Sequence, residues 1–597
     1  MLERSDLAEN ALAALHDEAY AAPYDTRDLT AEGMIFIGGR QARSLDGAWN
    51  FCVDLLDTGL RQKWFALPPA DPADRTEPWD YDPHMGDTVP VPSCWQMLQD
   101  RWYFFEGGSW YTRAVDLDAA DLGADDDGRL FLRVGAASYD CKVFLNGEFL
   151  GNHLGASTPF FVELTGRARE GRNWLMLFVE NRRRADRLPM QNTDWFNYGG
   201  LYREVSLYRT PKVVIRDLFV ALVPGRYDRL RVQIHVEGAD SAQLTIAGLT
   251  DATIPLTDGR ATVDIAAEPR LWSPEDPVLY HVEMTAGADR VTDRVGFRQI
   301  ERRGTDILLN GKPIWLRGIA VHEDDEKLGK VTNDEDLARR FDHAQALNCN
   351  FMRLAHYPHH EDAARMADER GILIWAEIPV YWAIDFANPA TRTDARNQLA
   401  ELIRRDRNRA SVVIWSVGNE NPDTDARLSF MSDLADLARD MDPTRLIAAA
   451  CLINHQTLRI EDRLAQHLDI IGINEYYGWY DEDFDDLERI GRNSRPDRPV
   501  VISETGADAD ITPHGPATGL FSESYQTEIY RKQIATLSRL DYIKGMSPWV
   551  LYDFRTERRQ GIFQRGWNRK GLIAADKVTR KAAFDVLARF YADRRDS

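Results

Sequence analysis

Two acidic residues stand where an apolar strand stops. The stretch Ser411 to Asn421 reads SVVIWSVGNEN, a β-branched and aromatic run that ends at Gly418, Asn419 and Glu420. The stretch PVVISETGA ends in the same way, at Glu504. A strand apolar along its whole length is buried on both faces. An acid is excluded from such a place unless the strand ends there and the side chain turns into a cleft. Two carboxyls facing one cleft push one pKa up and leave the other ionised. One can then protonate a leaving oxygen while the other attacks carbon, the division of labour that cleavage of a glycosidic bond requires. Either Glu alone is open to a plainer explanation, an ion pair at a strand end; the shared pattern singles out the two together.

The elements that would position them recur after Gly304. Apolar segments (IWLRGIAVH, FMRLAHYP, GILIWAEIP, SVVIWSVGNE, LIAAACL, DIIGINEY, PVVISETGA, IKGMSPWVLYDF) alternate with amphipathic stretches such as EDLARRFDHAQALN. This predicts eight parallel strands, each but the last followed by a helix, closed into a (β/α)8 TIM barrel. Catalytic groups gather at the C-terminal strand ends of such a barrel, and Glu504 falls three strands beyond Glu420. Ahead of the barrel the rhythm differs. From about Ser44 to Tyr208 short alternating segments predict an all-β sandwich, with Asn146-Gly147 in FLNGEFLG as a hairpin turn. A second, immunoglobulin-sized sandwich follows, with strands LRVQIHVEG and VLYHVEMTA and a boundary near Pro211. The expected domains are 1–212 (N-terminal extension and first sandwich), 213–301 (second sandwich) and 302–597 (barrel).

The bulk properties narrow the function. A chain of 597 residues is too long for one core. Its net charge of −22, from 73 basic and 95 acidic residues, argues against nucleic acid as a partner. The five cysteines are scattered and show no metal-ligand spacing, which reads as reduced thiols. No metal and no cofactor is implied; His359 and His360 in HYPHHED read as structural because their spacing lacks an i, i+4 pair. MLERSDLAENALAALHDEAY has no basic segment followed by an apolar one, and no run approaches the roughly 20 residues of a membrane span. A cytoplasmic protein without membrane contact is expected; a homo-oligomer is compatible with the sequence.

These residues carry a family resemblance. WSVGNE and ISETGAD resemble the acid/base and nucleophile signatures of glycoside hydrolase family 2, the retaining β-galactosidases, β-glucuronidases and β-mannosidases. SLDGAWNF, WYTRAVDL, FLNGEFLG and NYGGLYREVSLY resemble its N-terminal jelly-roll, sugar-binding-like sandwich, and NGKPIWLRGIAVHED and RLAHYPHHE its first barrel strands. The resemblance implies Glu420 as general acid/base, Glu504 as nucleophile, Asn419 on the sugar 2-hydroxyl and Tyr476 as a hydrogen-bond donor to the nucleophile. His322 and His356 match positions at the floor of the site, and Tyr480 joins the substrate contacts. Asn568 and Lys570 in GWNRKG are similar to the N-x-K motif with which the β-glucuronidases grip a sugar carboxylate. A fixed ammonium and an amide suit such an anion, whereas a neutral hexose is expected to leave the lysine unpaired. Asp194 matches a position reaching the sugar, and Trp549 is placed to pack on a sugar face.

The sequence also departs from those enzymes. Glu475 and Gln564 stand where they carry arginines, and Arg565 and Arg569 lie close enough in sequence to compensate. The stretch after the third strand, YWAIDFANPATRTDARNQ, lacks a long covering loop. The expected activity is exo-hydrolysis of terminal β-D-glucuronide or β-galacturonide residues from glycans or glycosides. Its rivals are a β-galactosidase of the same family and a non-catalytic carbohydrate-binding protein.

Overall fold

The computed structural model describes residues 27–66, 82–123, 127–481, 483–512 and 519–595. The chain start inspected for a targeting signal, residues 1–20, lies outside them. Contacts divide the chain into two units: one holds residues 41–182 and 198–212 together with the N-terminal segment, the other residues 34–40, 183–197 and 213–597.

The first unit is a sandwich of a four-stranded and a six-stranded sheet. Alternation along Gly47–Asp54 turns Trp49 and Phe51 into the core beside Trp95 and Tyr111. Asn146 and Gly147 join Asp140–Leu145 to Glu148–Leu154, and both take positive φ (52° and 85°). That is the turn whose twist matches paired strands.

In the second unit, residues 214–295 form a sandwich of three and four antiparallel strands. Its core is built by alternate residues such as Val232, Leu244, Val282 and Met284. The barrel follows. Its strands are β1 (Leu316–Val321), β2 (Phe351–Leu354), β3 (Leu373–Glu377), β4 (Val412–Asn419), β5 (Leu446–Cys451), β6 (Ile470–Asn474), β7 (Val500–Glu504) and β8 (Ile543–Met546), and they close in sequence order. All eight coincide with the predicted segments. Every residue of β4 is buried, as expected of a strand covered on both faces. Arg298 anchors its start, donating from Nη2 to the Val412 carbonyl at 2.6 Å.

The helical half differs from expectation in two places. After β5 there is only a 3-10 turn, Arg463–His467, and a helix does follow β8, at Ala583–Asp593. Between β8 and that helix the chain makes a long irregular excursion that carries the N-x-K residues. Capping fixes where other helices begin: Asn333, Thr424 and Ser522 each accept from a backbone N–H in the first turn. His360 does the same for Glu361–Arg370, which is the role the structure gives it. That helix ends at Gly371 (φ 69°), where a Cβ would press on the Pro274 carbonyl.

Candidate active site

At the C-terminal rim, β2, β3, β4 and β7 converge on one guanidinium. Arg353 is fully buried. It donates from Nη1 to Glu504 Oε1 at 2.8 Å, and from Nη2 to Glu377 Oε1 at 3.0 Å and Asn419 Oδ1 at 2.7 Å. Glu377 also receives Trp375 Nε1 at 2.9 Å and faces His356 Nδ1 at 2.8 Å. Burial pushes the Glu377 carboxyl up, but Arg353 and His356 outweigh it and hold it at about 2. It is a permanent counter-charge that fixes the guanidinium.

Glu504 accepts on both oxygens, from Arg353 and from Tyr476 Oη at 2.7 Å. Among the described residues no arginine or lysine hydrogen-bonds to Glu420. Trp382 Nε1 donates to its Oε2 at 2.7 Å, with Asn419 Nδ2 at 3.4 Å from the same oxygen. Burial and then the charge of Glu504 raise its pKa. Glu420 (φ 52°) and Trp382 (φ 51°) both hold left-handed backbone, which costs on the order of 1–3 kcal/mol each for such side chains. Two carboxyls so differentiated can work as nucleophile and proton donor.

Beside them lies a polar cluster. Lys570 Nζ donates to Asp508 Oδ2 at 2.9 Å and to Tyr480 Oη at 3.2 Å, and Arg559 Nη1 reaches the same phenol oxygen at 3.1 Å. Arg559 also donates to Asp194 Oδ2 at 2.5 Å, and Asn568 Nδ2 approaches that oxygen at 3.4 Å. Asp194 belongs to residues 183–197, which cluster with the barrel. Lys570 is therefore already paired, and the expectation that it stands alone without a sugar carboxylate does not hold. Two cations face two carboxylates, and both cations aim N–H donors at the Tyr480 oxygen. Burial works to raise the Tyr480 pKa, but Lys570 and Arg559 overcome it and lower it.

The floor is aromatic. Trp549 stacks on His356 at 4.8 Å, and His322 stacks on Phe554 at 4.2 Å while sharing a hydrogen bond of 3.1 Å with the Tyr357 hydroxyl. Burial and the neighbouring His356 push the His322 pKa far down, so its ring is neutral. Of the two compensating candidates, Arg565 is exposed and turns to the Ile562 carbonyl, while Arg569 Nε goes to the Phe563 carbonyl. The arginine in the cluster is Arg559. Gln564 Nε2 instead donates to Asp508 at 3.2 Å. Among the described residues no group of His, Cys, Asp and Glu could hold a metal ion, and no helix is long and apolar enough to cross a membrane.

Arg353, Glu377, Trp382, Asp508 and Arg559 were not singled out from sequence. Arg353 and Glu377 carried a usable signal, a charge inside an otherwise apolar strand for the first and an acid at the end of one for the second. Arg559 carried none, because its partner Asp194 lies 365 residues away.

Comparison with known proteins agrees with this architecture. The glycosyl hydrolases family 2 sugar binding domain matches residues 42–211, a further glycosyl hydrolases family 2 model residues 218–298 and the family's TIM barrel domain residues 300–592. The chain belongs to glycosyl hydrolases family 2 and is a glycoside hydrolase. It is similar to the β-glucuronidase of Paenibacillus borealis, 29% identical over 596 residues, covering 91% of this chain and 96% of that protein. A solved β-glucuronidase from an uncultured Clostridium sp. superposes with a TM-score of 0.81 at 27% identity, over 93% of this chain and 98% of that one. A family 2 β-galacturonidase from Eisenbergiella tayi, bound to galacturonate, shares the fold with a TM-score of 0.80 at 24% identity, over 93% and 98%.

Proposed function

We propose that this chain hydrolyses terminal β-D-glucuronide or β-galacturonide residues, with retention of configuration. The observation that carries the reading is the convergence of Lys570 and Arg559 on one acceptor point beside Asn568, next to the Glu420–Glu504 pair. The Tyr480 oxygen fills that point, and a uronate carboxylate accepts the same donors more strongly, since hydrogen bonds to ions are about twice as strong as neutral ones. Asp508 and Asp194 keep both cations in place without a sugar, so recognition rests on aimed donors rather than on net positive charge.

In this reading Glu504 attacks the anomeric carbon while Glu420 protonates the departing glycosidic oxygen, forming a glycosyl ester. Glu420, now a carboxylate, takes a proton from water as the water attacks, and the ester bond to Glu504 breaks. Arg353 and Tyr476 aim the nucleophile, and Asn419, fixed by Arg353, holds the 2-hydroxyl.

Glu504→Gln keeps the shape and removes the nucleophile, so turnover is expected to vanish while the melting profile persists. Proton NMR of wild-type hydrolysis should show the β-anomer first. An inverted first product overturns the mechanism.

A further inference from the structure

The leaving group has its own surroundings. Its oxygen must come within hydrogen-bond reach of Glu420, and so close to the Trp382 indole that holds that acid at 2.7 Å. Arg558 lies over this indole, its guanidinium carbon 4.4 Å from the ring centroid, with Nη1 donating to Asn192 Oδ1 at 3.1 Å. Stacking on an indole leaves the edge of a guanidinium, rather than its face, to meet a ligand.

Arg558 also differs from the arginines around it. Arg559 pairs with Asp194 at 2.5 Å, and the adjacent carboxylate, Glu557, accepts from Arg183 at 3.2 Å. Arg558 itself is exposed and, among the described residues, no carboxylate pairs with it. An uncompensated guanidinium beside the acid of a chain with net charge −22 is a local reversal of sign. The chain between β3 and the helix Pro389–Asp406 is short, residues 378–388.

We infer that the leaving-group position, framed by Trp382 and Arg558, takes an anionic aglycone: a sugar or aryl group bearing a carboxylate or sulfate, which the free edge of the guanidinium fork binds. This rests on the proposed uronidase activity.

The test compares wild type with Arg558→Gln on three aryl β-glucuronides: 4-nitrophenyl, and two whose nitrophenyl ring also carries a carboxylate or a sulfonate. The quantity read is the ratio of kcat/KM on each anionic substrate to that on the neutral one. Leaving-group reactivity cancels when this ratio is compared between the two enzymes. Arg558→Gln should lower the ratio about fivefold, the upper range for an exposed charge pair. Added NaCl should lower it in wild type and leave it unmoved in the variant. Arg558→Lys, which keeps the charge but not the fork, should fall between them. The carboxylate and sulfonate arms show which anion is preferred. Equal ratios in wild type and Arg558→Gln overturn the inference while leaving the uronidase reading intact. A wild type that cleaves a hexoside but no uronide defeats both.

Discussion

Glu420 and Glu504 have the same side chain in opposite surroundings, and the difference sets the pH dependence. Burial and the Glu504 charge raise the Glu420 pKa, so Glu420 keeps its proton to higher pH than a free glutamate does. Its acid role is present below that raised pKa and lost as pH climbs through it. The basic limb of kcat/KM should therefore belong to Glu420. With Glu420→Ala and an activated aryl substrate, that limb should disappear and azide should restore turnover; an unchanged limb without rescue places the acid elsewhere. Lys570 calls for a paired experiment, because it also neutralises Asp508. Lys570→Met alone strands a buried carboxylate, which costs about 3–5 kcal/mol. The double variant Lys570→Met/Asp508→Asn should recover the melting temperature without recovering kcat/KM on a uronide. Recovery of both would reduce the lysine to a structural part.

The segment leaving β6 carries a further buried acid, Glu475, facing Gln533 on the helix Glu523–Leu537 and the Tyr477 N–H at 3.2 Å. Burial, only partly offset by these hydrogen bonds, raises its pKa from 4.5 to about 8. The folded carboxyl thus holds a proton that the unfolded chain releases above about pH 4.5. Its cost to stability is absent below that pH and grows as pH rises towards 8. Glu475→Gln removes it, so the variant should gain on wild type by up to about 1.4 kcal/mol per pH unit across that window. Melting temperatures at pH 5 and pH 8 check this; an equal offset at both contradicts it. Glu475 also shows where sequence reading reaches its limit. Its identity as a departure was legible, but its partner lies on a helix whose docking only the fold supplies. The barrel strands were legible because burial on both faces makes each a mainly apolar run, and Glu420 and Glu504 stood out as acids at their ends. The 3-10 turn after β5 and the helix after β8 were not, because packing rather than local pattern decides them.

For the whole molecule, the two sandwiches and the barrel could be read from a change of period, two residues before Gly304 and alternating strand and helix after it. What the chain contacts could not be read so directly. A protein of net charge −22 repels an anionic sugar at long range, so recognition must come from the few donors at Lys570, Arg559 and Asn568. Residue 194 is remote in sequence from 559 and 570, and they meet only because 183–197 and the excursion after β8 lie over the same strand ends. The most direct test is kcat/KM of the wild-type protein on 4-nitrophenyl β-D-glucuronide, β-D-galacturonide, β-D-glucoside and β-D-galactoside. At least one uronide should exceed its matching hexoside by about a hundredfold, the worth of two charge-assisted contacts of roughly 1.5 kcal/mol each. A galactoside or glucoside turned over as fast as its uronide would contradict the account.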